Sequence, residues 1–259
     1  MKQRPLLVLV PVISVLIATL SIMASRKAVR EPSGFALVQL FTSEGCSSCP
    51  AAEEALAKMA AAFPSHVYVL ELHVDYWDRL GWKDAFSSSE YTGMQRDYAK
   101  SLNLRSIYTP QAVVNGQVEL VGSEEGRLRA AIEAGLKQPA GNAIELHVAG
   151  DGKTVQVNYK VPDAGKEMLN IALVQSHAET QVGAGENSGH LLKHSNIVRA
   201  IKSQAVHAGS SGSVTLSLPR GLTEKDCKVI AWLQDTAVTG AASADISTAP
   251  SSPQHALGR

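Results

Sequence analysis

Cys46 and Cys49 are separated by two residues within FALVQLFTSEGCSSCPAAEE, which spans residues 35–54. Two cysteines at this spacing can form a disulfide and exchange it with another dithiol. The thiolate is the reactive form of such a pair, and the N-terminus of a following helix favours it through unpaired N–H groups and the helix dipole. We therefore take Cys46 as the candidate nucleophile and Cys49 as the resolving cysteine.

Other uses of this cysteine pair are less favoured by the sequence. A structural zinc site needs about four ligands, and the third cysteine, Cys227, stands alone far downstream. No metal ligands are therefore assigned. A structural disulfide across so short a loop removes little chain entropy. Cys227 is interpreted as a half-buried, inert thiol.

The elements around the pair are predicted to be a strand, a helix and a second strand. An apolar run precedes Cys46, the helix-forming segment AAEEALAKMAAAF follows Cys49, and the β-branched run HVYVLELH covers residues 66–73. A right-handed βαβ unit makes the two strands parallel. Their C-terminal ends then share one sheet edge, which places the loop HVDYWDRLGWKD, residues 73–84, beside Cys46.

His73, Asp75 and Trp77 alternate along this loop, so an extended chain would put them on one face near the sulfurs. Histidine beside a dithiol can move protons or, together with both cysteines, bind copper(I); His73 as an ordinary strand-end histidine is the alternative. Trp77 is expected to pack the loop against the rest of the protein. Asp75 is expected to fix the backbone of the loop or to orient His73. Asp84 is expected to be a solvated charge.

The next elements are a helix, a hairpin and a last helix. SSSEYTGMQRDYAKSLNL, within residues 84–104, favours a helix. Strands at 111–114 and 118–121 flank Asn115-Gly116, a strong hairpin signal. Ser123 is expected to cap the helix EEGRLRAAIEAGLK. The predicted order is β-α-β-α-β-β-α.

This order, with Cys-x-x-Cys at the first βα junction and a proline at the start of the third strand, resembles the thioredoxin fold. The resemblance implies that the Thr109–Pro110 peptide is cis and lies against the disulfide, where Thr109 and Pro110 would hold a client strand by edge pairing. LFTSEGCSSCP, HVDYWDRLGWKD and YTPQAVVNGQVELVGS are similar to motifs of a bacterial family of exported thioredoxin-like proteins catalogued as a domain of unknown function. That resemblance implies fold and compartment, but no substrate.

Residues 139–246 show a different pattern, with several period-two runs separated by turn residues. This pattern predicts a small all-β, sandwich-like domain. Its longest irregular stretch, ETQVGAGENSGHLLKH at 179–194, is expected either to fold over Cys46 or to act as an interdomain buttress. In the first case Glu186, Asn187 and His194 would supply the polar contacts. The tail at 247–259 is Pro/Ser-rich and is expected to be disordered.

The N-terminus indicates export. Lys2 and Arg4 precede the uncharged run LLVLVPVISVLIATLSIMA at 6–24, so residues 1–32 read as a signal peptide or membrane anchor. The expected location is periplasmic or secreted, where a dithiol meets an oxidising environment. The 24 basic and 24 acidic side chains show no long run of one sign, so nucleic acid is not expected as a partner.

The sequence thus predicts an α/β thioredoxin-like domain at 33–138 followed by a small all-β sandwich-like domain at 139–246. The predicted function is exported thiol–disulfide exchange with client protein thiols or disulfides. A redox partner protein is expected, but no dissociable cofactor, and a membrane contact only through the N-terminal anchor. The alternatives are a copper(I) or ligand carrier and a binding module whose disulfide is structural.

Overall fold

The computed structural model describes residues 32–248, which form one mixed α/β body with a large central sheet and few helices. The strands are β1 (Ala36–Thr42), β2 (Val67–His73), β3 (Gln111–Val114), β4 (Val118–Val121), β5 (Glu145–Gly150), β6 (Thr154–Val161), β7 (Glu167–Gln181), β8 (Leu191–Val206), β9 (Ser210–Ser217), β10 (Cys227–Gln234), β11 (Val238–Asp245) and β12 (Ser247–Thr248). The helices are α1 (Cys49–Ala62), α2 (Ser89–Ser101) and α3 (Glu125–Leu136), with 3-10 helices at Asp75–Leu80 and Glu224–Asp226.

The central sheet has eight strands in the order β11-β10-β7-β8-β2-β1-β3-β4. β1 and β2 are parallel, and their register ends with Thr42 opposite His73. The loops that follow these two strands therefore leave the same sheet edge, as the βαβ pattern predicts. This shared edge positions the site described below.

β1 is buried along its whole length because helices cover both faces of the sheet. Alternate residues, such as Val38 and Leu40, join α1 and α3 in one buried cluster. The intervening residues Leu37 and Phe41 join α2 and β10 in a second cluster on the opposite face. A strand buried on both faces reads as a continuous apolar run, which is the pattern of ALVQLFT.

The two halves of the chain share this sheet. β2 pairs with β8 in parallel at Glu71 and Ile197, so β7, β8, β10 and β11 extend the sheet begun by β1 to β4. A second sheet, β12-β5-β6-β9, contributes Val155 and Val157 to a buried cluster with Leu173 of β7. The C-terminal half thus supplies both a packed layer and half of the central sheet, and a separate β-sandwich domain is not confirmed.

Several local expectations agree with the structure. β3 and β4 have the predicted bounds, and Asn115 and Gly116 adopt positive φ values of 49° and 70° in the three-residue connection between them. The helix predicted within 84–104 is present as α2. The last helix begins one residue later than expected, because its N-cap residue is Glu124 and not Ser123.

Two expectations about loops are wrong. Residues 75–80 form a 3-10 helix, so His73, Asp75 and Trp77 do not share one face of an extended chain. The irregular stretch expected at 179–194 is shorter, because β7 and β8 remain paired as far as Gln181 and Leu191. Only residues 182–190 form the connecting loop.

The ends of the chain are described in part. The signal peptide or anchor expected at 1–32 lies outside the described residues except for its last residue, and export stays a prediction. Of the expected disordered tail at 247–259, Ser247 and Thr248 pair with β5, and the remainder lies outside the described residues. Within 32–248, no helix has the length and apolar character needed to cross a membrane.

A substitution at Trp232 of β10 tests whether the two halves of the chain share one hydrophobic core. It is 1 % exposed and lies in the same buried cluster as Leu37 and Phe41 of β1. We expect Trp232→Ala to lower the free energy of unfolding by about 3–5 kcal/mol in a single transition, measured by circular dichroism during urea unfolding. Met168→Ala, at a residue 41 % exposed, is the control and should change it by less than about 0.5 kcal/mol. Two separate transitions, with only one affected, would contradict a shared core.

Candidate functional site at the Cys46–Cys49 disulfide

Cys46 and Cys49 form a disulfide at the junction of β1 and α1. A tight turn carries the chain across this junction: the Cys46 N–H donates to Ser43 O at 3.1 Å, and the Cys49 N–H donates to Cys46 O at 3.2 Å. Helix α1 starts at Cys49 and not at Pro50, so the second sulfur lies within the first helical turn. Proline is tolerated at this position because the first N–H groups of a helix have no partner within it.

Both cysteines are buried, although the two residues between them are exposed. Cys46 is 1 % exposed and Cys49 is 0 % exposed, whereas Ser47 and Ser48 face solvent. A buried disulfide is shielded from an approaching thiolate. Access to the sulfurs therefore depends on the residues that cover them.

The loop at 182–190 lies against the disulfide. The Asn187 side-chain amide, itself 3 % exposed, donates to Glu44 O at 2.8 Å and to Cys46 O at 3.0 Å. Glu186 Oε2 accepts from the Ser47 N–H at 3.0 Å and from its hydroxyl at 2.8 Å. These bonds lower the pKa of Glu186, the backbone bond most. The loop therefore contacts the disulfide turn through Glu186 and Asn187, and both roles considered for this stretch stay predictions.

Trp77 connects the disulfide loop to the expected client-binding residues. Its indole N–H donates to the Thr109 hydroxyl at 2.8 Å. It also lies against Gly45, where an added Cβ would come within 3.3 Å of Trp77 Cβ. The Thr109–Pro110 peptide is cis, and the Pro110 carbonyl accepts from the Gly122 N–H at 2.9 Å. Four residues singled out from the sequence therefore lie at one sheet edge: Cys46, Trp77, Thr109 and Pro110.

His73 and Asp75 have different surroundings from those expected. His73 is fully buried, and its Nδ1 lies 2.7 Å from Asp84 Oδ2. Asp75 instead accepts from the Thr92 hydroxyl at 2.6 Å and so ties the 3-10 helix to α2. The residue that orients His73 is Asp84, which is 1 % exposed, and the expectation of a solvated Asp84 is wrong.

Asp84 joins His73 to the disulfide turn. Its Oδ2 also accepts from the Glu44 N–H at 2.9 Å, and the Glu44 carboxylate accepts from the Trp82 indole at 2.7 Å. Burial raises the pKa of Asp84, but the charge of His73 and the hydrogen bond with it lower the pKa more. The buried carboxylate of Asp84 thus holds both the backbone of Glu44 and the imidazole of His73.

A second imidazole–carboxylate pair lies between α1 and β8. His194 Nδ1 is 2.9 Å from Glu53 Oε2, and the Thr42 hydroxyl donates to the other oxygen of Glu53. Burial lowers the pKa of His194, yet hydrogen bonds with Glu44 and Glu53 raise it to about 10. Burial raises the pKa of Glu53, but the bond and charge of His194 produce a net decrease. His194 is therefore a polar contact of this region, as expected, but its shortest contact is with the buried carboxylate of Glu53.

Glu71 is a third buried carboxylate, in the middle of β2. It is 0 % exposed and accepts from the Ser195 N–H at 3.1 Å and from the Ser195 hydroxyl at 3.2 Å. Burial and the charge of Glu53 raise its pKa well above the ordinary range. A charged residue inside the apolar run VYVLELH is a signal that sequence reasoning could have used. Glu53 could also have been singled out from the sequence, because it follows Cys49 by one helical turn and so lies on the same face of the helix.

Metal-binding donors in the described residues gather around these carboxylates. Ligand atoms of Glu53, Glu71, His73 and His194 lie within 4.8 Å of one another, and all four residues are buried. The copper(I) set considered from the sequence differs, because it combined His73 with the two cysteines that are joined in the disulfide.

Comparisons with known proteins give a family and one solved relative. The sequence model of a family described as "Protein of unknown function (DUF1223)" matches residues 37–234. The crystal structure of protein AGR_C_4864 from Agrobacterium tumefaciens is similar over 80 % of this chain and 92 % of that chain, with 30 % identity and a TM-score of 0.63. A β-glucosidase from Listeria innocua aligns over 42 % of this chain and 17 % of its own, with 17 % identity and a TM-score of 0.18, which carries no argument. No curated protein matches the chain.

Asn187 provides a direct test of the covering loop. Removing its amide leaves the carbonyls of Glu44 and Cys46 without these partners, at a cost of about 1–3 kcal/mol to the closed loop. We expect Asn187→Ala to be reduced by dithiothreitol roughly tenfold faster than the wild type, since local opening exposes the disulfide. His190→Ala, at an exposed position of the same loop, is the matched control. Equal rates for Asn187→Ala and wild type would contradict shielding by this loop.

Proposed function

Because the chain belongs to the DUF1223 family of proteins of unknown function, we propose its activity from its own site: exchange of the Cys46–Cys49 disulfide with the thiols or disulfides of client proteins. The observation that carries this proposal is the disulfide at the start of α1. A thiolate at a helix N-terminus is stabilised by the helix dipole and by N–H groups without helical partners.

The surrounding architecture supports this activity. The order β2-β1-β3-β4, with α1 and α3 on one face and α2 on the other, is similar to the arrangement of thioredoxin-like proteins. Thr109 and Pro110 immediately precede β3, and Trp77 connects Thr109 to the turn that holds the disulfide. In this proposal Thr109 and Pro110 hold an extended client segment next to the sulfurs by edge pairing.

The exchange proceeds in two displacement steps. In the reduced protein, the Cys46 thiolate attacks one sulfur of a client disulfide, forms a mixed disulfide and releases one client thiolate. The Cys49 thiolate then attacks the Cys46 sulfur, restores the Cys46–Cys49 disulfide and releases the second client thiolate. Client oxidation follows the same steps in reverse. Either direction requires access to the buried sulfurs, which opening of the loop at 182–190 would provide, because Glu186 and Asn187 hold that loop against the disulfide turn.

Export is part of the same proposal. The basic residues Lys2 and Arg4 and the apolar run at 6–24 are typical of a signal peptide or anchor. They would deliver the site to a periplasmic or extracellular compartment, where disulfides persist. A redox partner protein would then set the direction of electron flow.

A second candidate function is a binding module whose disulfide is structural. The burial of both cysteines beneath Asn187 favours it, because structural disulfides are protected from thiols. In this case the disulfide would hold the turn between β1 and α1, and binding would use another surface.

The reduction potential of the disulfide separates the two candidates. Equilibration of the purified full-length chain with glutathione or dithiothreitol buffers, followed by thiol alkylation, gives this potential. For an exchange enzyme we expect a value between roughly −100 and −270 mV. A value below about −300 mV would instead indicate a structural disulfide.

The cysteine variants test the assigned roles. We expect Cys46→Ser to abolish catalysed reduction of insulin disulfides, because no nucleophile remains. Cys49→Ser should accumulate a mixed disulfide with the client, visible on non-reducing gels, because the resolving step is blocked. Cys227→Ala is the control and should retain activity, since Cys227 is buried in a different cluster and burial raises the pKa of its thiol to about 11. Insulin reduction that persists in Cys46→Ser would contradict the proposal.

A further inference from the structure

Four buried side chains beneath the disulfide turn combine two imidazoles with two carboxylates. Glu53 comes from α1, Glu71 and His73 come from β2, and His194 comes from β8. Their donor atoms lie within 4.8 Å of one another, and none of the four residues is more than 4 % exposed. We propose that Glu53, Glu71, His73 and His194 form a binding site for one divalent ion of the zinc class.

Unsatisfied nitrogen atoms point to a ligand here. Nε2 of His73 is buried and has no hydrogen-bond partner, whereas Nε2 of His194 has only a long contact with Glu44 Oε1. His194 Nε2 lies 3.5 Å from that oxygen. A buried polar atom without a partner costs about 1–3 kcal/mol. An ion bound to a ring nitrogen would remove this cost.

The hydrogen bonds around the four donors are of the kind that orients metal ligands. His73 Nδ1 is 2.7 Å from the Asp84 carboxylate, which leaves Nε2 as the free nitrogen. Metal-ligating histidines commonly donate their other N–H to a carboxylate in this way. Glu71 is held by Ser195, and Glu53 is held by the Thr42 hydroxyl. Each proposed carboxylate ligand is thus oriented by a hydroxyl or backbone donor.

The donor set selects the kind of ion. Zinc accepts imidazole nitrogen and carboxylate oxygen in a four-coordinate site, whereas magnesium and calcium prefer oxygen ligands. Once the ion has displaced the protons of these groups, two ionised carboxylates and two neutral imidazoles would balance a +2 charge. Tetrahedral zinc separates its ligand atoms by about 3.3 Å, so side-chain movements of about 1 Å would close the present arrangement around the ion.

A surface cleft provides a route for the ion. Its volume is about 440 Å³, and Glu53 and His194 form part of its wall together with Pro50, Leu191 and Lys193. Glu53 is 4 % exposed, so its carboxyl group lies at the base of the cleft. The Glu53 side chain is 5 % exposed and the His194 side chain is 0 % exposed, so an ion that enters this cleft would meet Glu53 first.

The test is zinc binding by the purified, oxidised full-length chain after treatment with a chelator. We expect isothermal titration calorimetry to show one tightly bound Zn²⁺ per chain and the melting temperature to rise. X-ray absorption at the zinc edge should show only nitrogen and oxygen neighbours, with the scattering features of two imidazoles. A sulfur neighbour, no binding, or equal competition by Mg²⁺ would overturn the proposal.

Variants assign the ligands. Glu71→Gln keeps the size of the side chain and an acceptor for Ser195, but removes the ligand charge, so we expect affinity to fall by about a hundredfold or more, since even outer-sphere changes cost about 10–100-fold. His147→Gln is the matched control, because this exposed histidine lies on β5 of the second sheet, and the variant should bind zinc as the wild type does. If Glu71→Gln retained wild-type affinity, the proposal would fail. Should that variant not fold, the absorption spectrum of the wild type decides alone.

Zinc binding is independent of disulfide exchange. The double variant Cys46→Ser/Cys49→Ser should lose insulin reduction but keep stoichiometric zinc, because neither sulfur is a proposed ligand. Loss of zinc in this variant would overturn the metal site. Failure of wild-type insulin reduction would leave the zinc result unaffected.

Discussion

The parallel pairing of β1 with β2 is the constraint on which the rest of the structure depends. β1 is buried on both faces, so helices must cover each side of the sheet, and its register with β2 ends at Thr42 and His73. Both following loops then leave the same edge, one with the disulfide and the other with Trp77 and Asp84. The chemistry of the site follows from this one alignment.

Contacts from the second half of the chain complete the site. β8 pairs with β2 at Glu71, which brings His194 and Ser195 over the buried carboxylates and sets the β7–β8 loop above Cys46. Without this pairing, Glu53 would lose its ion-pair partner His194, and Glu71 would lose its hydrogen bonds with Ser195. The two halves are therefore coupled through the site as well as through the shared sheet.

The disulfide and the buried ionisable groups occupy adjacent layers. On the side of the β7–β8 loop, Glu186 and Asn187 form hydrogen bonds with Ser47 and Glu44 of the disulfide turn, and local opening can break these bonds. On the interior side of the turn, the buried residues are His73, Asp84 and the pair His194–Glu53. Access to the sulfurs therefore depends on the loop, whereas the electrostatic surroundings beneath them depend on the packed interior.

The sequence by itself determined the local elements: β1, α1 and β2 from apolar pattern and helix propensity, the hairpin from Asn115-Gly116, and the position of the cysteine pair between strand and helix. These features depend on interactions between residues near in sequence. It also indicated, through their spacing, that the first two strands are parallel.

Only the tertiary structure decided which charges are buried and what covers the disulfide. Asp84 was expected in solvent but holds His73, and the contact between Asn187 and Glu44 joins residues far apart in the chain. An alternating pattern shows which face of a strand is buried, but not which strand lies beside it. The pairing of β8 with β2, which brings His194 to Glu53, Glu71 and His73, is therefore visible only in the tertiary structure.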